Sequence, residues 1–531
     1  MHHSVVKTLN VLCLLFVTSQ AQECDNHCYP GQSCWPSPEE ALALYKNIDG
    51  DVYSMYDEKY RAVNVMVNTR VQRLPALIVM AKNVDDVIYA LNFANKFNMK
   101  ITVRSSGHDY IGRSTWDGSL TINLFNMKGL DFDLSSNLHP AGTVKAESGN
   151  SWLRVYNETN KVGRVIVGGS AHTVSMGGYT LGGGHSPIGR KFGMAVDNLL
   201  EVDMVTTNGS FVRANENGTT FIDRKTGQEI HSPNADIFWA LRGGGGSTYG
   251  IVTAFTYKLH YDSEMVKLTC AIPYFDYKNT PIGRPFLQQF NNLLATNLAP
   301  EWGGYEIIVK GATPPNHGTI ILVLNHFGGM DTPSYRTIQP FLTAYGFLCK
   351  KENMTNFLEY EITAHDDLYY RTYIFNALVQ PQNLDNEFYT EIESLLNEKE
   401  FGGCTGTLIG GNMMNNPADN TAVNPNFRSG VMSLSCGVNA WGDPRQDRTM
   451  VAFGEQMTPR IVKLGKGVYF NEPSALLDDW KTQYWGGHYD RLLSIKKAWD
   501  PDNILTCFHC VGSDIKDLKN TDVGSNVPII G

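Results

Sequence analysis

Between Val167 and Ser186 the chain places seven glycines: Gly168, Gly169, Gly177, Gly178, Gly182, Gly183 and Gly184. A helix or strand interior does not tolerate that density, because each glycine gives up backbone entropy and offers no side chain to pack. A flexible linker is the alternative. It fits poorly, since Val167, Val174, Met176 and Leu181 interrupt the run and a linker has no use for apolar anchors. Such a segment makes sense where backbone must lie close against a flat, phosphorylated ligand.

A second stretch has the same character. Residues 99–103 alternate like a short strand and run into Arg104-Ser105-Ser106-Gly107-His108-Asp109-Tyr110. The small residues let the backbone approach a ligand, and successive N–H groups in such a turn form an anion nest. His108, at the exit, offers a ring nitrogen for chemistry. On spacing alone, a chance histidine at a strand end is the competing explanation.

Upstream, residues 76–80 read as a buried strand. Asn83 is a good N-cap, and Val84, Val87, Ile88, Leu91 and Ala94 recur at helical spacing. This is a β-α-β unit leading to the turn at His108. No G-x-G-x-x-G opens its helix, so a Rossmann domain is not supported. The run Arg242-Gly243-Gly244-Gly245-Gly246 lacks the Gly-Lys-Ser/Thr of a P-loop, which removes an ATPase reading. Residues 120–124, 199–206, 211–213 and 251–257 read as further strands, with Asn208-Gly209 as a hairpin signal. Short helices are expected near 38–46, 149–160 and 237–241. From 265 to 460 the pattern shifts to strands at 268–272, 305–310, 319–325 and 432–438, with helices at 333–345 and 383–399. That is an antiparallel sheet with helices on one face.

Charged residues make up 18% of the 531, and aromatics 11%, a compact globular composition. The net charge of −9, with no basic stripe, argues against nucleic acid as a partner. Residues 1–21 read as a secretory signal: Lys7, an apolar run broken only by Asn10, then Ser19-Gln20-Ala21. The run falls well short of the ~20 residues of a membrane span, and no other candidate span appears. Secretion makes disulfides permissible. Once Cys13 leaves, nine cysteines remain: Cys24, Cys28, Cys34, Cys270, Cys349, Cys404, Cys436, Cys507 and Cys510. An odd number leaves at least one thiol unpaired or bonded between molecules. Cys507-Phe508-His509-Cys510 resembles half a metal site, but no second CxxC follows at zinc-finger spacing, so disulfides are preferred and no metal is expected. Sequons at Asn157, Asn208, Asn217 and Asn353 fit a glycosylated surface.

The ordered motifs carry a family resemblance. They are Arg104-x-x-Gly107-His108, the run Thr173–Gly184, Arg190-Lys191-Phe192-Gly193-x-x-x-Asp197-Asn198, and Arg242–Gly246 with Gly250-Ile251-Val252-Thr253. The last is Tyr484-Trp485-Gly486 with Arg491, Lys496 and Asp500-Pro501-x-Asn503. In order and spacing the chain resembles the berberine bridge enzyme-like flavoprotein oxidases of the vanillyl-alcohol oxidase superfamily. The match is strong over about 65–265 and clear over 465–510.

The resemblance implies an α+β fold: a two-part, PCMH-type FAD-binding domain and an antiparallel-sheet substrate domain with helices on one face. The expected layout is a signal (1–21), a disulfide-bearing leader (22–64), the FAD domain (65–265), the substrate domain (266–464), a segment returning to the FAD domain (465–512) and a tail (513–531). It implies FAD held by Arg104, Ser105, Ser106, Gly107, His108, Asp109 and Tyr110, and by Thr173, Val174, Gly177, Gly178, Gly182, Gly183 and Gly184. Gly250, Ile251, Val252, Asn471 and Asn503 complete that set.

His108 matches the residue the family joins covalently to the flavin. Ala171 stands where many members carry a second, cysteinyl link, so one bond is expected. Val174 matches an oxygen gate, and valine there resembles the oxidases. In Tyr469-Phe470-Asn471-Glu472, Glu472 occupies a position often held by a catalytic tyrosine, and His185 replaces another tyrosine facing the substrate. A carboxylate or imidazole beside a flavin can take the substrate's proton, although a loop glutamate and a structural histidine remain open readings. His172 and Tyr179 rank lower, and Tyr110 can simply wall the pocket. Thr421-Ala422 and Arg428 resemble a family motif on a strand roofing the site, with extra residues intervening. Trp302, Tyr305 and Trp441 are weak candidates for sugar-binding platforms.

The expected activity is oxidation of an alcohol, sugar or amine with reduction of O2 to hydrogen peroxide. The alternatives are a dehydrogenase with another acceptor and a secreted flavin-binding glycoprotein without turnover. The expected partners are a small-molecule substrate and O2, with neither nucleic acid nor membrane.

Overall fold

Strand Leu77–Met80 is buried along its whole length, as an apolar run bounded by polar turns must be. The computed structural model describes residues 27–311, 318–363, 370–439 and 443–513. The Asn83 side chain caps helix Val84–Lys96 by accepting from the Asp86 amide. Ser37 caps Pro38–Asn47 with a full capping box. Leu77–Met80 and Ile101–Arg104 do not pair with each other. Leu120–Asn123 lies between them, parallel to both, and Asp51–Ser54 adds an antiparallel edge. The strand that delivers His108 is thus an edge strand of this small sheet.

A second, seven-stranded antiparallel sheet adjoins it. It runs in the order Glu229–Ser232, Gly218–Ile222, Phe211–Asn215, Leu199–Val205, Ile251–Lys258, Thr143–Glu147, Leu130–Asp133. Val205, Phe211 and Ile251 pack into the same core as Leu91 and Ile122, which locks the two sheets into one α+β unit.

Another seven-stranded antiparallel sheet forms the other half. Its order is Cys349–Met354, Met265–Pro273, Thr319–Phe327, Trp302–Val309, Gly403–Leu408, Met432–Asn439, Thr372–Val379. One face is covered by helices Gly283–Thr296, Asn386–Asn397 and Asp447–Val462, through residues such as Phe286, Phe290, Ile392 and Met457. Disulfides Cys270–Cys349 and Cys404–Cys436 join directly paired residues of neighbouring strands.

Several expectations change here. The helix expected at 333–345 is two, Pro333–Arg336 and Gln339–Tyr345. The helix expected from 149 starts at Trp152. Trp302 is no surface platform: it is fully buried and donates from its indole to Ser334 O at 3.2 Å. Thr421 and Arg428 sit on no roofing strand but in and beside short 3-10 turns. There Arg428 bonds Asp197 at 2.7 Å and Thr421 at 2.9 Å. Trp441, the signal at 1–21, Cys13, Cys24 and the tail beyond 513 lie outside the described residues.

The C-terminal helices Trp480–Trp485 and Tyr489–Trp499 come back onto the first half. Trp485 Nε1 donates to Gly243 O at 3.0 Å, Lys496 Nζ to Thr248 O at 2.7 Å, and Lys100 Nζ to Thr506 O at 3.0 Å. Cys507 and Cys510 are bonded to each other, as are Cys28 and Cys34. No helix among the described residues is long and apolar enough to cross a membrane.

Candidate active site

Where strand Ile101–Arg104 ends, the chain turns sharply. Gly107 has φ +81°, and a Cβ there would lie 2.4 Å from Val65 O, so glycine is required. Arg104 does not reach outward. Its guanidinium is buried and bonded to Asn64 Oδ1 and Val65 O, both at 3.1 Å, and burial holds its pKa down to about 10. The Asp109 carboxylate is likewise structural. It accepts from the Ile111 and Arg113 amides and from Arg113 Nε, fixing the turn's exit. The Ser106 hydroxyl accepts from the Ser175 amide at 2.9 Å, tying the turn to the glycine segment. His108 Nε2 lies 2.9 Å from Thr173 Oγ1.

The glycines of 167–186 divide into two groups. Gly177 and Gly178 begin the short helix Met176–Leu181 and line a cavity. A Cβ on Gly178 would meet nothing within 4 Å, so it would project into open space. Gly182, Gly183 and Gly184 serve packing. A Cβ on Gly182 would fall 2.0 Å from Asn471 Oδ1, and Gly184 would strike Tyr179 and Ala195. These three stand outside the cavity's lining, as do Thr173, Ile251 and Asn503, whereas Gly250, Val252 and Asn471 are within it.

The cavity holds about 1130 Å3. One wall is Ser105–Tyr110, Ala171, Val174 and the two glycines. The facing wall is the bare side of the third sheet, with Lys267, Thr269, Tyr305, Ile307, Thr407 and Ser435. Glycine and serine backbone on one side and a polar, partly apolar sheet on the other make room for a flat, phosphorylated cofactor and a small ligand above it.

His185 and Glu472, 287 positions apart, meet in this cavity. His185 Nε2 lies 2.8 Å from Glu472 Oε1, and both side chains are mostly buried. Glu472 Oε2 accepts from Asn376 Nδ2 at 2.8 Å and lies 3.3 Å from Ser433 Oγ. The carboxylate is therefore fixed from three sides. The Tyr469 ring is 4.8 Å from the imidazole. Its hydroxyl accepts from the Gly184 amide and from Asn471 Nδ2, at 2.9 and 2.8 Å. Burial, and then the Glu472 charge, raise the Tyr469 pKa further above the ordinary phenol value, so it stays protonated. Tyr179 donates to His185 O and holds that turn.

A second polar cluster went unseen in the sequence. The Tyr305 hydroxyl donates to Ser170 Oγ at 2.8 Å, and Ser170 donates to Glu361 Oε1 at 3.0 Å. Glu361 is fully buried, its Oε2 lacks a partner among the described residues, and burial pushes its carboxyl up to about 8. His172 Nε2 lies 3.0 Å from Glu361 O, which gives that histidine a structural place. Asn376 and Ser433 were missed as well. A signal existed for Asn376, an amide within the apolar run Ile374-Phe375-Asn376-Ala377-Leu378.

Two family models match the chain. One described as an FAD binding domain matches residues 75–215, and one described as berberine and berberine-like matches 468–509. An FAD-linked oxidoreductase of Arthroderma benhamiae is 30% identical over 461 residues, covering 83% of this chain and 78% of that one. The VAO-type flavoprotein oxidase VAO615 of Thermothelomyces thermophilus is 26% identical, over 93% of this chain and 87% of its own. The crystal structure of the VAO-type flavoprotein MtVAO615 from Myceliophthora thermophila C1 superposes with a TM-score of 0.78 at 22% identity, covering 93% of this chain and 99% of that one.

Proposed function

We propose, from the premise that this chain belongs to the FAD-linked oxidoreductases of the berberine bridge enzyme-like family, that it is a secreted oxidase of a small alcohol, sugar or amine that reduces O2 to hydrogen peroxide. The observation that carries the reading is the His185–Glu472 pair, held at 2.8 Å inside the cavity that the glycine cradle opens onto. When bound, FAD supplies the hydride acceptor. The residues present fit it: the open space over Gly178, the small-residue turn Ser105–Gly107, and Gly250 and Val252 in the same lining. His108 is the residue that would carry a covalent link. The methyl group of Ala171 offers no second one.

The chain's own task is the proton. As a carboxylate, Glu472 only accepts hydrogen bonds, so His185 presents its Nε2–H to it and keeps Nδ1 as the ring's basic atom. His185 then takes the proton from a substrate O–H or N–H while Glu472 stabilises the imidazolium. This is the division of labour of a base and its orienting carboxylate. Asn376 and Ser433 keep Glu472 from swinging away. Tyr469, protonated, walls the imidazole. The small side chain of Val174 in the lining supports access for O2. The four observed disulfides support passage through an oxidising compartment.

The test has two parts. Acid-precipitated protein should keep its yellow colour, on the peptide carrying His108. His185→Ala and Glu472→Gln should each slow flavin reduction by substrate about 100-fold or more, the scale of general-base catalysis. If both variants reduce flavin at the parent rate, the assignment fails. Flavin reduction without peroxide under air would move the reading to a dehydrogenase.

A further inference from the structure

A second groove lies where the chain enters strand Ile101–Arg104, at the opposite end from the turn that lines the first cavity. It holds about 710 Å3 and is lined by Thr206, Thr207, Asn208, Phe221, Trp499 and Asp502, among others. That volume falls within the range of clefts that hold a small organic ligand. Its aromatic floor is built from distant parts of the chain. Phe221 comes from strand Gly218–Ile222 and Trp499 from the end of helix Tyr489–Trp499, and their rings are near-parallel, 4° apart in plane with centroids 6.1 Å apart. Phe221 is 38% exposed.

The groove contains its own attachment point. Asn208-Gly209-Ser210 is a glycosylation sequon at the hairpin between Leu199–Val205 and Phe211–Asn215. Asn208 is exposed. Its Oδ1 accepts from Thr206 Oγ1 at 2.6 Å and from the Ser210 amide at 3.2 Å. Those two bonds hold the side chain through its oxygen and leave the amide nitrogen out of the turn's own hydrogen bonds. Asn157 contrasts with it: there the amide donates to Leu153 O at 2.8 Å, along its own helix. Asn217 and Asn353 are exposed on a turn and on an edge strand.

We propose that Asn208 carries an N-linked glycan whose first N-acetylglucosamine packs into this groove on the exposed Phe221 ring, which the stacked Trp499 ring backs. Attachment replaces one N–H of Nδ2 with a bond to the anomeric carbon. The donor is a lipid-linked oligosaccharide pyrophosphate, and the lipid pyrophosphate and the amide proton leave. The C–H face of the sugar then covers the Phe221 ring, and its polar edge lies at the exposed Asp502 and solvent, matching an apolar face and a wet rim. Such a sugar acts as part of the fold, bridging the hairpin and the C-terminal helix.

The experiment is native-state deglycosylation of the full chain secreted from a glycosylating host. Peptide-N-glycosidase cuts at the first sugar, and mass spectrometry reads each site separately as Asn converted to Asp. Under native conditions Asn208 should be released about tenfold more slowly than Asn217 and Asn353, with equal rates after unfolding. Trp499→Ala should abolish that protection, and Phe221→Ala provides the same test if the first variant is not secreted. An unoccupied Asn208, or native release as fast as at Asn217, overturns the proposal.

Discussion

Glu306 should make this protein lose stability as pH rises from about 5 to 8, and Glu306→Gln should remove that loss. Strand Trp302–Val309 turns Tyr305 and Ile307 to the cavity and Glu306 to the helical layer. There the carboxyl is 1% exposed, and neither oxygen has a hydrogen-bond partner among the described residues. Burial pushes it from 4.5 up to about 8. The nearby Asn291 amide offsets a part of this without a well-aligned bond. The sign follows from proton binding. Above pH 4.5 the unfolded chain has released this proton and the folded chain keeps it, so folding takes up a proton and each pH unit lowers stability. The cost is about 3 kcal/mol by pH 7 and about 5 kcal/mol once pH passes 8, where it levels off. Gln keeps the shape and does not titrate. Urea unfolding of the two proteins at pH 5, 6, 7 and 8 measures the difference, provided the m-values match. The variant's advantage should grow by about 4 kcal/mol across that range. Glu361 is raised similarly, but it is present in both proteins and cancels. Parallel curves would refute the reasoning and mean that Glu306 is ionised and solvated in the folded state.

Other expectations are more local. Gly182→Ala would set a Cβ 2.0 Å from Asn471 Oδ1. It should displace Asn471 from the cavity wall and lower the flavin-to-protein ratio of purified material, at a stability cost of about 1–3 kcal/mol. Asn376→Leu removes the 2.8 Å bond to Glu472 Oε2. Flavin reduction by substrate should slow and its pH profile should shift, which a change confined to packing would not produce. Removing the Cys270–Cys349 disulfide, which closes a loop between residues 79 apart, should cost about 2–5 kcal/mol, read as a lower Tm, with the flavin content unchanged.

What the sequence could reveal depended on whether a residue's role is local. The cap at Asn83, the strand at 77–80, the hairpin at Asn208-Gly209 and the turn at Gly107 each follow from a few neighbouring residues, and each stands close to where it was expected. The glycine run was legible as a whole but not position by position. Gly178 opens onto the cavity while Gly182 to Gly184 only admit neighbours, and that difference is set by Asn471, Tyr179 and Ala195. Chemistry that depends on remote pairs was harder still. Glu472 and His185 could be named from their motifs, yet their 2.8 Å contact exists only because the C-terminal segment returns across the first half. Asn376 and Ser433, which hold Glu472, come from neighbouring paired strands of the third sheet, where they face the carboxylate from the same side. Reading them from sequence would have required the strand register, since a slip of one residue in either strand turns that strand's residue away. Glu361 makes the same point more sharply. Nothing in Phe357–Glu361 marks its carboxyl as buried, because the partner that reaches it, Ser170, lies in the glycine segment 191 positions earlier. The proposed acid–base groups are therefore properties of the interface between the two halves, and perturbing either half's register should disturb them before it disturbs the glycine-lined wall of the cavity.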